Sequence, residues 1–131
     1  MRTALILATL LALGFAAPPR AGDDTKSGAT LAVMRRIHGK GGLAGRAYPL
    51  LEEKSLAEAV ELARQWQAGA DLLPRTAPRK GADAAFRRQA EGYRQAVRRF
   101  GEAVGKEDRK AARSALDAVA ATCKGCHSAH R

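Results

Sequence analysis

The sequence predicts an all-α protein, built as an antiparallel up-down-up-down four-helix bundle. Apolar residues recur at steps of three or four along four stretches, and proline and glycine clusters separate those stretches. No segment alternates polar and apolar residues as a half-buried strand would, and no internal repeat is visible. The connections are short, which favours antiparallel neighbours.

Ahead of the first helix lies an expected export signal. Met1-Arg2-Thr3 is a short basic start, 4–17 is an apolar run, and Pro18-Pro19-Arg20-Ala21 ends on a small residue, the layout of a secretory signal peptide. The run is shorter than the roughly 18 residues that would indicate a membrane span, and no later segment is apolar enough for one. Cleavage is placed after Ala21, with Ala16 as the alternative; no cysteine lies near the cut to carry a lipid. Removing 1–21 takes away Arg2 and Arg20 and no acid, leaving one domain, 22–131, of 110 residues with 21 basic and 13 acidic side chains, net +8. For an exported chain without an RNA- or DNA-binding motif, this charge points to acidic redox partners or an anionic membrane surface rather than nucleic acid. A solvated basic face is the plain alternative.

The first helix is expected to start within 24–27, capped by Asp23, Asp24 or Thr25, with Leu31, Met34, Ile37 and His38 on one face. Gly39, Gly41, Gly42 and Gly45 weaken it, so it ends there or continues imperfectly toward Tyr48, with Pro49 near its limit. Ser55-Leu56-Ala57-Glu58 has the form of a capping box and opens a second helix over 56–72, with Leu56, Val60, Ala63, Trp66 and Ala70 inward and Leu62 flanking them. The clearest loop is 74–81, with two prolines, a glycine and three cations. Asp83 is expected to cap a third helix carrying Phe86, Ala90, Tyr93, Val97, Phe100 and Val104 inward, with Arg87, Arg88, Arg94, Arg98 and Arg99 mostly outside. Gly105 and Lys106 end it. Asp108 caps the fourth helix, which runs through Leu116, Val119, Ala120 and Cys123.

That fourth helix ends in the chemistry. Cys123-Lys124-Gly125-Cys126-His127 is C-x-x-C-H, the spacing at which two thiols add to the vinyl groups of a porphyrin and the adjacent imidazole is held against its iron. The motif uses both cysteines of the chain and implies one covalent haem c, whose attachment outside the cytoplasm agrees with export. A zinc site from Cys123, Cys126, His127 and His130 would need local unwinding, because Cys126 and His127 point about 100° apart on a helix. A thioredoxin-like C-x-x-C opens a helix after a strand, whereas this one closes a helical chain. The domain has only five aromatics, Tyr48, Trp66, Phe86, Tyr93 and Phe100, so its core would be thin without an inserted haem.

A C-x-x-C-H at the end of an exported four-helix chain, with Arg131 four positions after the histidine, resembles the class II c-type cytochromes: the cytochrome c prime group and its low-spin relatives. The resemblance follows helix order along the domain, and its specific motif spans Cys123 to Arg131. It implies thioethers at Cys123 and Cys126, His127 as proximal ligand and Arg131 near the haem edge. His130 stands where the family commonly has Tyr or Phe, and the loop between the second and third helices is short; both point away from the gas-binding, dimeric subgroup.

In such a bundle the end of the fourth helix lies beside the first half of the first. Met34 is there, the only methionine outside the signal, at the position that resembles the thioether ligand of low-spin class II cytochromes. A core filler is the other reading of a methionine on an apolar face. His38, about 6 Å farther along the helix, is the weaker candidate ligand, or a propionate partner, or a solvent-facing residue. His130 follows His127 on the same helix, cannot reach the opposite haem face, and is expected to be an exposed polar residue by the haem edge.

His/Met ligation would saturate the iron and suit one-electron transfer rather than catalysis; no acid-base pair, nucleophile or phosphate loop appears elsewhere. Two alternatives stay open. One is a five-coordinate haem binding nitric oxide or carbon monoxide. The other is a haem-bearing docking subunit of a respiratory assembly. Homodimer formation is left open.

Overall fold

The computed structural model describes residues 21–78 and 81–130, with side chains from 28 onward. The export signal through Arg20, the expected cap side chains at 23–25, and Arg131 lie outside these. The described residues form α1 (Ala21–His38), α2 (Leu43–Leu50), α3 (Ala57–Ala70), α4 (Asp83–Gly105) and α5 (Arg109–His130), with a 3-10 turn at Leu73–Arg75 and no strand among them. Four of the helices are long and α2 is short, the content of a four-helix bundle whose first member is broken.

The break falls on the glycines. α1 stops at His38, Gly41 takes φ +72°, and the Gly42 amide donates to the Gly39 carbonyl at 2.8 Å. A side chain on Gly42 would bring its Cβ within 2.5 Å of the Ile37 carbonyl oxygen, so this turn requires glycine. α2 then carries the chain onward through Pro49, which supplies no amide to the ladder, and ends at Leu50. The Tyr48 hydroxyl donates to Asp117 of α5 at 2.6 Å. Arg109 donates to the carbonyls of Leu51 and Lys54, and Arg113 pairs with Glu52. These contacts tie the end of α2 to the start of α5.

In α3 the inward row is Ala59, Leu62, Ala63, Trp66 and Ala70; Val60 is 43% exposed and Leu62 only 3%. The expected roles of Val60 and Leu62 are therefore exchanged. Small residues explain the rotation: Ala63 faces Gly101 of α4, and Gly69 faces Ile37 of α1, each close enough to favour a row centred on alanines. The expected capping box is half made. Ser55 Oγ accepts from the Ala57 amide at 3.2 Å, with no reciprocal bond from Glu58 among the described residues. Asp83 is the first residue of α4 and makes no side-chain cap there.

α4 buries the whole expected row from Phe86 to Val104. It ends at Gly105, and Asp108 Oδ1 accepts from the Ala111 amide at 2.8 Å to open α5, as expected. α5 packs chiefly on α4, which also holds α3; α1 leans on α2 and α3. The core joins Trp66, Phe100, Ile37, Leu73, Val97 and Val104, all fully buried, with nine alanines between the helices. Leu31, expected on the inner face of α1, is 41% exposed because it borders an open cleft.

Candidate functional site

α1, α4 and the end of α5 enclose a cleft of about 380 Å³. Met34 and Leu31 line it from α1, Phe86 from α4, and Cys126 and His127 from α5, with Pro78 at its edge. A narrower cavity of about 30 Å³ adjoins it, bordered by Cys123 together with Gln89, Tyr93, Met34, Cys126 and His127. The three motif residues on α5 and the methionine on α1 thus share one apolar-walled space. Thr30 fastens the other side, its hydroxyl donating to the Ala77 carbonyl at 2.7 Å.

Cys123 and Cys126 are both half-buried free thiols. Burial pushes both above the ordinary thiol range, Cys123 further by the neighbouring Cys126 charge, so both stay protonated near neutral pH. One turn of helix separates them, which turns both sulfurs to the same side. Gln89 Oε1 is buried beside the narrow cavity with no hydrogen-bond partner. Two thiols on one helix face, an adjacent imidazole, a thioether across the gap, apolar walls and this orphaned acceptor fit a haem, with Cys123, Cys126 and His127 on one side and Met34 on the other. No group of three or more His, Cys, Asp or Glu among the described residues is placed to hold a metal ion by itself.

His38 also borders the cleft, but its Nε2 lies 2.9 Å from the Tyr93 hydroxyl, which accepts from Trp66 Nε1–H at 2.6 Å. An indole only donates, so the Tyr93 oxygen accepts from Trp66 and its own proton is available to His38 Nε2. Burial of this edge, and then the charge of His127, lower the His38 pKa and favour that neutral ring. Burial likewise pushes the Tyr93 hydroxyl up. Spacing shows a tyrosine and a tryptophan on buried faces; it does not show that they meet each other and His38.

His130 corrects an expectation. It is buried, edge-on to the Phe86 ring at 5.4 Å, and Gly81, at φ +91°, lies so close that a Cβ there would fall 2.6 Å from Nδ1. The expected exposed residue is instead part of the cleft wall, because the end of α5 folds against the start of α4. Arg131 lies outside the described residues.

Residues 80–131 match the family model described as Cytochrome C', a stretch that takes in α4, α5 and the whole C-x-x-C-H motif. This supports a haem-bearing class II c-type cytochrome. No curated protein and no solved structure matches the chain.

Proposed function

We propose that the chain is an exported, non-enzymatic c-type cytochrome of the low-spin class II kind, an antiparallel bundle holding one covalent haem for one-electron transfer. The observation that carries this reading is the cleft in which Cys126 and His127 of α5 meet Met34 of α1, with Cys123 on its inner extension. When bound, the haem supplies a one-electron couple. Cys123 and Cys126 would hold the haem through thioether links, and His127 would ligate its iron through a ring nitrogen. Met34 would give a thioether sulfur, a soft donor that favours the reduced state over harder donors and would leave no coordination position for a substrate. Phe86, buried on α4, gives the cleft an apolar wall. His38, whose Nε2 lies 2.9 Å from the Tyr93 hydroxyl, is the weaker candidate for that coordination position.

The test is the protein matured in a host able to attach haem c. Haem that stays on the chain in a denaturing gel and a ferrous spectrum unchanged by carbon monoxide support the reading. A ferrous spectrum that changes readily with carbon monoxide would instead give the gas-binding protein.

A further inference from the structure

Tyr93 is 5% exposed and holds its hydroxyl between partners from two other helices. Trp66 Nε1–H of α3 donates to its oxygen at 2.6 Å, and His38 Nε2 of α1 stands 2.9 Å away, open to its proton. The three rings form one cluster, in which the His38 ring stands edge-on to Trp66 at 6.0 Å and to Tyr93 at 5.8 Å between centroids. The two ends of the cluster differ. Tyr93 borders the narrow cavity together with Met34 and Cys123, whereas His38 reaches solvent.

A phenol that loses an electron becomes a far stronger acid, so the electron leaves readily only where a base already accepts the hydroxyl proton in a hydrogen bond. Neutral imidazole is such a base, and a carboxylate is a weaker one, with an ordinary pKa of about 3.9 against about 6.5. The other tyrosine of the chain, Tyr48, has the carboxylate of Asp117 as its acceptor at 2.6 Å and is itself 38% exposed. Trp66 lacks a base: its N–H points at the Tyr93 oxygen, which is already protonated. We propose that Tyr93 is a second one-electron redox site, which gives an electron to inorganic radical oxidants while its hydroxyl proton passes to His38 Nε2. In that step the oxidant is reduced by one electron, the O–H bond of Tyr93 breaks, an N–H bond forms on His38, and a neutral tyrosyl radical remains, still hydrogen-bonded by Trp66. The positive charge appears on His38, which hands the proton on to water, and none is left in the core. Because Tyr93 and Met34 border one cavity, an oxidising equivalent held on the phenol is kept from the thioether sulfur. The inference rests on the reading above in which Met34, not His38, takes the sixth position, since that leaves Nε2 to Tyr93.

The experiment uses the haem-loaded ferric protein, a photogenerated ruthenium(III) polypyridyl complex as the one-electron oxidant, and electron paramagnetic resonance of samples frozen after the flash. The chain has 2 tyrosines, so Tyr48→Phe leaves Tyr93 alone, and ring-deuterated tyrosine in that variant should narrow the radical signal without lowering its yield. Tyr93→Phe should lose the signal and raise severalfold the Met34 sulfoxide found by peptide mass spectrometry after the same flashes. His38→Gln keeps the tyrosine but offers no base, and should cut the yield by at least about tenfold with the haem spectrum unchanged. A signal that fails to narrow puts the unpaired electron elsewhere and overturns the inference, an outcome that does not depend on Tyr93→Phe folding. Equal yields in wild type and His38→Gln remove the proton acceptor, and Met34 sulfoxide unchanged by Tyr93→Phe removes the shielding role; either overturns it. A haem spectrum altered by His38→Gln before any flash would place His38 on the iron, refuting the ligand reading and the inference with it, and is thereby told apart from failure of the radical step alone.

Discussion

His38 Nε2 and the Tyr93 hydroxyl stand 2.9 Å apart, joining α1 to α4 at the wall of the cleft. Because Trp66 donates to the same hydroxyl, one tyrosine satisfies two aromatic neighbours on two other helices. Replacing it removes both partners at once. Tyr93→Phe should cost about 1–3 kcal/mol, the penalty for leaving the buried Trp66 indole N–H unpaired while water can replace the bond at the exposed His38, measured by denaturant unfolding. A loss within a few tenths would show that water replaces the hydroxyl.

Partial burial of His38, and then the charge of His127, set a pH dependence. The fold holds His38 below its ordinary value of 6.5, so between that value and the lowered one the unfolded chain binds a proton that the folded chain does not. Stability is therefore full above about 6.5, falls as pH drops through that window, and stops falling on this account below it. His38→Gln should flatten this part of the stability profile, followed by unfolding at a series of pH values.

On the proposed reading, attachment depends on two sulfurs. Cys123→Ala or Cys126→Ala should leave at most one thioether, and the double variant none, as seen by haem staining after denaturing electrophoresis. Covalent haem in the double variant would refute the assignment.

Asp108 anchors the helix that carries the motif. Asp108→Ala removes the bond to the Ala111 amide, and the expected loss is about 0.5–2 kcal/mol without a change in the haem spectrum.

Most of this site was legible in sequence because its parts are local. C-x-x-C-H lies within five residues, and a helical register alone turns its two sulfurs to one side. The broken first helix was visible in Gly39, Gly41 and Gly42. What spacing could not show depends on how helices meet. Val60 and Leu62 exchange places because Ala63 and Gly69 let α3 approach its neighbours closely. His130 is buried because Phe86 and Gly81, more than forty positions away, close over it. The Trp66, Tyr93 and His38 chain likewise joins three helices, and each of its bonds spans at least 27 positions.

The central claim is that Met34 faces His127 across the iron, and one comparison tests it most directly: the ferric spectra of the haem-loaded wild type and Met34→Leu. The substitution keeps the apolar volume and should cost less than about 1.5 kcal/mol in stability. The account predicts a low-spin wild type with a sulfur-to-iron charge-transfer band, and a folded, high-spin variant without that band, with a lower reduction potential. A low-spin spectrum that survives Met34→Leu and collapses in His38→Ala would move the ligand to His38, and a wild type already high-spin would contradict both.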